Sequence, residues 1–206
     1  MEISVSILGI KDKLKENIDK LNSLNVDYIH LDIMDGKFVS NINDNYELLK
    51  ESLTDNTKRL DIHLMVDNPD YYVQKYKTLK PTYITFHYET GNIKSIIKLI
   101  KDNNIGVGIS VKPSTDVRLL TTYLDSVDLV LVMTVEPGKG GQTFMDMSEK
   151  IKVLHELKEK NNYNFKIEVD GGINNETIKK VNADIAVVGS YITGSNDYKE
   201  RIEKLK

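Results

Sequence analysis

The sequence predicts a single (β/α)8 barrel that extends over residues 1–206. Short β-rich segments alternate with amphipathic segments along the whole chain, which is the pattern of repeated βαβ units. No linker rich in proline, glycine or serine interrupts this pattern, so we expect one catalytic domain. The alternation also fits an open doubly wound sheet, but a count of eight strand segments favours the closed barrel.

Eight segments have the composition of buried strands. They are Ile3–Leu8, Tyr28–Ile33, Leu60–Val66, Tyr83–His87, Gly106–Val111, Leu129–Thr134, Lys166–Val169 and Ile185–Val188. Several are almost continuous apolar runs, which is typical of parallel strands that helices cover on the outer face.

Three of the intervening segments show apolar residues at helical spacing. These residues are Leu14, Ile18 and Leu21, then Ile93, Ile96, Ile97 and Ile100, then Ile151, Leu154 and Leu157. The spacing i, i+3, i+4, i+7 predicts amphipathic helices that pack one face against the strands.

The composition excludes several classes of function. Of the 206 residues, 40% are hydrophobic and 29% are charged, and the net charge is −3, so no basic surface for nucleic acid is expected. The absence of cysteine excludes disulfides, thiolate catalysis and cysteine-ligated zinc, and suits a cytoplasmic protein. No apolar run approaches the ~18 residues of a membrane span, and the first residues do not resemble a signal peptide.

Polar side chains lie inside or at the ends of three predicted strands. His30, Asp32 and Met34 share one face of the second strand, Asp61, His63 and Met65 share one face of the third, and Asp170 ends the seventh. Active sites of this fold lie at the carboxyl ends of the strands. A catalytic or metal centre is therefore expected there.

Histidine placement favours a metal. Three of the four histidines, His30, His63 and His87, fall in predicted strands, whereas His155 is expected on the solvated face of a helix. Any one strand histidine, taken alone, is more simply explained as a hydrogen-bonded core residue. Two histidines together with two carboxylates are better explained by a divalent cation, because unpaired buried charge is costly. Zn²⁺, Fe²⁺, Mn²⁺ and Co²⁺ all suit such ligands.

Glycine clusters follow the last three predicted strands. They lie in the segments 136–142, 170–172 and 188–190. Glycines let the backbone approach an anion closely, and the loops after strands seven and eight commonly hold phosphate in this fold. The clusters predict a phosphate site.

The segments that contain these residues resemble the signature segments of the ribulose-phosphate 3-epimerase family. The segments are His30–Val39, Asp61–Val66, Met133–Gly138 and Val169–Ile173, and Ser6–Leu8 and His87–Glu89 also match in order. The resemblance extends from the first strand to the eighth. It implies metal-dependent epimerisation at C3 of D-ribulose 5-phosphate to D-xylulose 5-phosphate, in a homo-oligomer.

The resemblance also implies roles for individual residues. The metal ligands would be His30, Asp32, His63 and Asp170, of which Asp32 and Asp170 would be the acid/base pair. The substrate and its phosphate would contact Ser6, His63, Gly138, Lys139, Gly140, Gly141, Asp170, Gly171, Gly172, Gly189 and Ser190. Met34, Met65 and Met133 would line the site, although plain core packing explains methionines equally well.

The match has departures that leave substrate identity and subunit contacts open. They are Gly9–Lys11 after the first strand, Ser40–Tyr46 after the second, Val111–Ser114 at the end of the fifth, and Lys139 where an aromatic residue is usual. None removes a proposed ligand or proton carrier. Lys139 either reaches the phosphate or is solvated, and the solvated state is favoured because exposed loop lysines are usually solvated.

Three alternative functions keep the same barrel. An epimerase of a phosphorylated hexulose, such as allulose 6-phosphate, would share the metal and both aspartates. A non-catalytic phosphate- or metal-binding barrel is less favoured, because no proposed carboxylate or imidazole is missing. An orotidine-phosphate decarboxylase-like barrel needs a lysine among strand aspartates, and the inward face of Tyr28–Met34 has none.

Overall fold

Eight parallel strands close into a barrel in the computed structural model, which describes residues 1–206. The strands are β1 (Glu2–Ser6), β2 (Tyr28–Asp35), β4 (Arg59–Met65), β5 (Tyr83–His87), β6 (Gly106–Val111), β7 (Leu129–Met133), β8 (Lys166–Asp170) and β9 (Ile185–Val188). Because β1 pairs with both β2 and β9, the sheet has no open edge among these strands. The predicted barrel is confirmed and the open doubly wound sheet is excluded.

One strand was not predicted. The two-residue β3 (Ile42–Asn43) runs antiparallel to the end of β2, with Asn43 opposite Met34. It holds the loop that departs from the family pattern against the top of the barrel.

Seven α-helices surround the strands. They are α1 (Leu14–Asn22), α2 (Tyr46–Ser52), α3 (Pro69–Tyr76), α4 (Ile93–Asp102), α5 (Ser148–Asn161), α6 (Ser190–Thr193) and α7 (Tyr198–Glu203). The three predicted helices are confirmed, and all four isoleucines of α4 are buried. None of the helices is both long enough and apolar enough to cross a membrane.

The predicted alternation of strands and helices fails at two connections. Only short 3₁₀ helices, Val117–Leu120 and Leu124–Ser126, join β6 to β7, and a single one, Thr177–Lys180, joins β8 to β9. These turns still bury apolar side chains such as Leu120 and Ile178 against the barrel.

His155, which was expected on a solvated face, lies on α5. Its side chain is half-buried, and its Nε2 lies 2.7 Å from the carbonyl oxygen of Asn182. The ring links α5 to the chain before β9 and remains partly exposed.

The barrel interior is layered from an apolar floor to a polar mouth. The floor consists of Tyr28, Leu129 and Ile185, with Tyr83 packed beside them. Above this floor, the buried polar side chains of Ser4, His30, Asp61 and Glu168 form a middle layer. The next inward positions lie at the carboxyl ends of the strands, where the candidate site begins.

Candidate active site

Three strands bring the predicted ligands together. His30 and Asp32 lie on β2, His63 lies directly beside Asp32 on β4, and Asp170 is the last residue of β8. One side-chain atom from each of the four residues lies within 4.8 Å of the others. The strand period of two is what points all four into the barrel.

The distances show that Asp32 is central to this group. Its Oδ1 lies 3.4 Å from His30 Nε2 and 3.7 Å from His63 Nδ1. The same His63 nitrogen lies 3.7 Å from Oδ2 of Asp170. Ser6 Oγ donates to Oδ2 of Asp32 at 2.7 Å, which fixes the orientation of the carboxylate.

Each histidine directs one unpartnered nitrogen at the group. His30 Nδ1 lies 2.7 Å from Oδ2 of Asp61, and His63 Nε2 lies 2.9 Å from Nε2 of His87. The remaining nitrogens, His30 Nε2 and His63 Nδ1, are buried and have no hydrogen-bond partner. Because unpaired buried polar atoms are rare, this arrangement fits a cation bound between the two rings and the two carboxylates.

The electrostatics of the group also favour positive charge. Burial opposes protonation of His30, yet Asp61 and Asp32 raise its pKa well above the ordinary value. Burial likewise opposes a charged His63, but Asp170 and Asp32 raise its pKa. Burial alone would raise the pKa of Asp32, and the two imidazoles instead lower it. A divalent cation would supply the charge that these carboxylates attract.

The middle layer adds two carboxyl groups beneath the ligands. Asp61 accepts from Ser4 Oγ at 3.0 Å as well as contacting His30. Glu168 is fully buried, and neither of its oxygens has a hydrogen-bond partner. Burial and the nearby charge of Asp61 raise the pKa of Glu168 well above its usual value. No role was predicted for either group from the sequence.

A cleft of about 280 Å³ opens above the ligands at the mouth of the barrel. Its walls contain fourteen of the predicted site residues: Ser6, Asp32, Met34, Met65, Met133, Gly138, Lys139, Gly140, Gly141, Asp170, Gly171, Gly172, Gly189 and Ser190. His30 and His63 are fully buried and lie below the cleft wall. Leu8, Gln142 and Asn174 also line the cleft, and they were not predicted from the sequence.

The glycine turn after β8 has a conformation that other residues rarely adopt. Gly171 and Gly172 have φ of +121° and +64°. A Cβ at Gly172 would lie 2.6 Å from the amide nitrogen of Phe144. Thr134 Oγ1 donates to the carbonyl of Gly171 at 2.6 Å and ties this turn to β7. Glycine is therefore required for the backbone to form this wall of the cleft.

The loop after β2 is attached to the cleft in spite of its unusual sequence. Asn41 Nδ2 donates to the carbonyl of Gly138 at 2.7 Å, and Asn43 Nδ2 donates to the carbonyl of Asp32 at 2.6 Å. Val39 packs against Gly138, where a Cβ would lie 2.9 Å from the valine Cβ. The departures at Ser40–Tyr46 thus leave the contact between the two loops intact.

Known proteins resemble this chain over nearly its whole length. The model of the Ribulose-phosphate 3 epimerase family matches residues 2–193. The ribulose-phosphate 3-epimerase of Methanocaldococcus jannaschii is 37% identical, with 100% of this chain and 90% of that protein covered. The enzyme of the same name from Aquifex aeolicus is also 37% identical, with 87% and 83% covered. The cytoplasmic isoform from Oryza sativa subsp. japonica is 38% identical, with 94% and 87% covered.

Solved structures show the same architecture at lower identity. KGPDC from Streptococcus mutans has a TM-score of 0.73 and 14% identity, and the match covers 98% of this chain and 94% of that one. A 3-hexulose-6-phosphate synthase has a TM-score of 0.64 and 17% identity, with 100% and 98% covered. These likenesses support the fold alone.

Proposed function

The chain belongs to the ribulose-phosphate 3-epimerase family and is a sugar-phosphate epimerase, and we propose the residues by which it inverts C3 of D-ribulose 5-phosphate. The two unpartnered imidazole nitrogens beside two carboxylates, directly beneath a polar cleft, carry this proposal. We assign the reaction to residues 1–206 as one catalytic domain, because all eight barrel strands belong to one sheet.

His30 Nε2, His63 Nδ1 and the carboxylates of Asp32 and Asp170 would hold one divalent cation. When bound, the cation would act as a Lewis acid that stabilises the negative charge developing on the substrate oxygens. Two imidazoles and two carboxylates suit Zn²⁺, Fe²⁺, Mn²⁺ or Co²⁺.

Asp32 and Asp170 are the proposed proton carriers. Epimerisation removes the C3 proton beside the carbonyl and returns a proton to the opposite face of the enediolate. In each direction one aspartate is the base and the other is the acid, so the reverse reaction exchanges their roles. The two side chains reach the cleft from β2 and β8 on different sides of the barrel, as transfer to opposite faces requires.

The rest of the cleft would bind and shield the substrate. Ser6 orients the Asp32 carboxylate. Met34, Met65 and Met133 would exclude water from the side of the cleft nearest the carboxylates. The backbone of Gly138, Gly140, Gly141, Gly171, Gly172, Gly189 and Ser190 would receive the phosphate.

Lys139 is the one lysine of the cleft wall. It is exposed and forms no salt bridge, so its ammonium group is free to approach a phosphate dianion. We assign it to the substrate contacts. His63 would act on the sugar only as one of the four proposed metal ligands, because its side chain lies beneath the wall of the cleft.

The proposal also covers the binding partner, the cellular location and the oligomeric state. The partner is a small sugar phosphate, with neither nucleic acid nor membrane involved. We propose a cytoplasmic location, which the name of the rice relative supports, and a homo-oligomer, as the family resemblance implies.

Conversion of D-ribulose 5-phosphate to D-xylulose 5-phosphate by purified protein tests the proposal. The assay is run with and without a chelator, and then with Zn²⁺, Mn²⁺ or Fe²⁺ added back. We expect activity that the chelator removes and a metal restores. Activity on allulose 6-phosphate alone would favour the hexulose-phosphate alternative. Failure to exchange solvent deuterium into C3 of either sugar would refute the proton-transfer assignment.

A further inference from the structure

A chain of three buried or half-buried polar side chains begins at the proposed metal ligand His63 and leads away from the other three ligands. His63 Nε2 lies 2.9 Å from Nε2 of His87, and His87 Nδ1 lies 3.3 Å from Oε2 of Glu89. Both rings are fully buried. His87 is the last residue of β5, and Glu89 lies in the 3₁₀ helix Tyr88–Thr90 that follows it.

The contact between two imidazole nitrogens constrains both rings. A hydrogen bond between them needs one protonated nitrogen and one nitrogen with a free lone pair. If His63 Nδ1 uses its lone pair for a cation, then the neutral ring must carry its proton on Nε2 and donate it to His87. His87 then accepts on Nε2 and carries its own proton on Nδ1, which points at Glu89.

Glu89 is suited to terminate this chain as a carboxylate. Its Oε1 accepts the amide of Lys112 at 2.9 Å and the hydroxyl of Thr115. Burial alone would raise the pKa of Glu89, but hydrogen bonds from His87, Thr115 and the Lys112 amide lower it to about 2. The remaining oxygen, Oε2, is the one that faces His87.

The surroundings hold His87 in place. The Phe38 ring packs on it at a centroid distance of 4.7 Å, and the Lys112 ammonium lies 4.2 Å from the centroid of Phe38. These contacts keep the ring in the orientation that the chain of hydrogen bonds requires.

We propose that His87 and Glu89 are positioning residues that fix the tautomer and orientation of His63, so that Nδ1 of His63 is presented as a metal ligand. The inference rests on the proposed metal site and extends it to residues that do not touch substrate. Outer hydrogen bonds of this kind usually change metal affinity by about 10–100-fold.

The test measures Co²⁺ binding by His87→Leu, by competition with a chelator and by the visible absorption of the bound ion. His87→Leu leaves His63 Nε2 without its acceptor, so we expect affinity to fall by about 10-fold or more and the spectrum to shift. Glu89→Gln keeps an acceptor oxygen but loses the charge, and should cause a smaller loss.

Two further variants separate this role from core packing. His87→Gln can place an amide oxygen near the former Nε2, so it should recover most of the affinity and the native spectrum. Ser110→Ala is the matched control, because Ser110 is paired with His87 in the sheet, is buried and has no hydrogen-bond partner. It should bind Co²⁺ like the unmodified protein.

The outcomes distinguish the two proposals. Unchanged affinity and spectrum in folded His87→Leu, while the unmodified protein binds Co²⁺, would overturn the positioning role and leave the metal site standing. If His87→Leu does not fold, equal losses in His87→Gln and Ser110→Ala would likewise overturn it. Absence of Co²⁺ binding by the unmodified protein would overturn both.

Discussion

His30 Nδ1 and Oδ2 of Asp61 are 2.7 Å apart, in the middle layer of the barrel where solvent does not reach. Ser4 Oγ donates to the same carboxylate oxygen at 3.0 Å. Since Asp61 engages Nδ1 of His30, the unpartnered Nε2 is directed toward Asp32, 3.4 Å away. His30 is thus oriented by the Asp61 carboxylate directly. His63, in contrast, is connected to the Glu89 carboxylate through His87.

Asp61→Asn should weaken metal binding. The amide oxygen of asparagine can still accept from His30 Nδ1, but the lost charge lowers the basicity of the ring. We expect the Co²⁺ affinity to fall by about 10-fold, measured by competition with a chelator. Ser4→Ala, which removes only the hydroxyl that supports Asp61, is the matched control and should lose less. Equal affinities in Asp61→Asn and the unmodified protein would contradict this role.

Asp170→Asn should abolish most turnover while the fold is kept. A general acid or base typically contributes about 10²–10⁴-fold to the rate, and the amide cannot accept or return the C3 proton. We expect a loss of that order in kcat for both directions, together with loss of deuterium exchange at C3. Near-normal activity would refute the acid/base assignment.

The control for that variant is Asp125→Asn. Asp125 is exposed in the 3₁₀ helix Leu124–Ser126 and lies outside the cleft wall. Asp125→Asn makes the same chemical change outside the cleft, so its kcat should equal that of the unmodified protein. Circular dichroism of both variants would show that neither has unfolded.

The strand pattern made the ligand group predictable. His30, Asp32 and His63 break apolar runs at positions that share a face, and Asp170 follows a buried run directly. In a parallel barrel the inward faces and the carboxyl ends of neighbouring strands converge, so sequence period and strand order were enough to bring these residues together.

Other features depend on tertiary distances that no local pattern encodes. The 3₁₀ connections before β7 and β9 are too short to show helical periodicity, and β3 is only two residues long. The hydrogen bond between His63 and His87 depends on the closeness of β4 and β5 at their ends. The inward position of His87 on β5 was the available signal, but it could not specify the partner.

Gly172→Ala should destabilise the protein more than an alanine at another glycine with positive φ. At Gly172 the new Cβ would meet the Phe144 amide nitrogen at 2.6 Å in addition to the left-handed backbone strain. Gly91 has φ of +74° and no atom within 4 Å of a built Cβ, so Gly91→Ala is the matched control. We expect a loss of about 1–3 kcal/mol in the free energy of unfolding for the control and a larger loss for Gly172→Ala.

Urea unfolding of the two alanine variants measures this difference. Because Gly172 also lines the cleft, the KM of Gly172→Ala should rise, whereas Gly91→Ala should keep its KM. Equal unfolding free energies would mean that the Phe144 segment moves away without cost, and that the turn does not depend on this contact.

The low pKa of Glu89 predicts how the free energy of unfolding depends on pH. The pKa of about 2 in the folded protein lies below the ordinary value of 4.5, so unfolding at low pH takes up a proton at this residue. The carboxylate therefore stabilises the fold above about pH 5, and this contribution disappears as the pH falls toward 2.

Glu89→Gln has no carboxyl group to titrate. Its deficit in unfolding free energy should be largest near pH 7 and should shrink between about pH 5 and pH 2. Urea unfolding of both metal-free proteins across this range measures the deficit, and a deficit independent of pH would show that the hydrogen bonds to Glu89 do not depend on its charge.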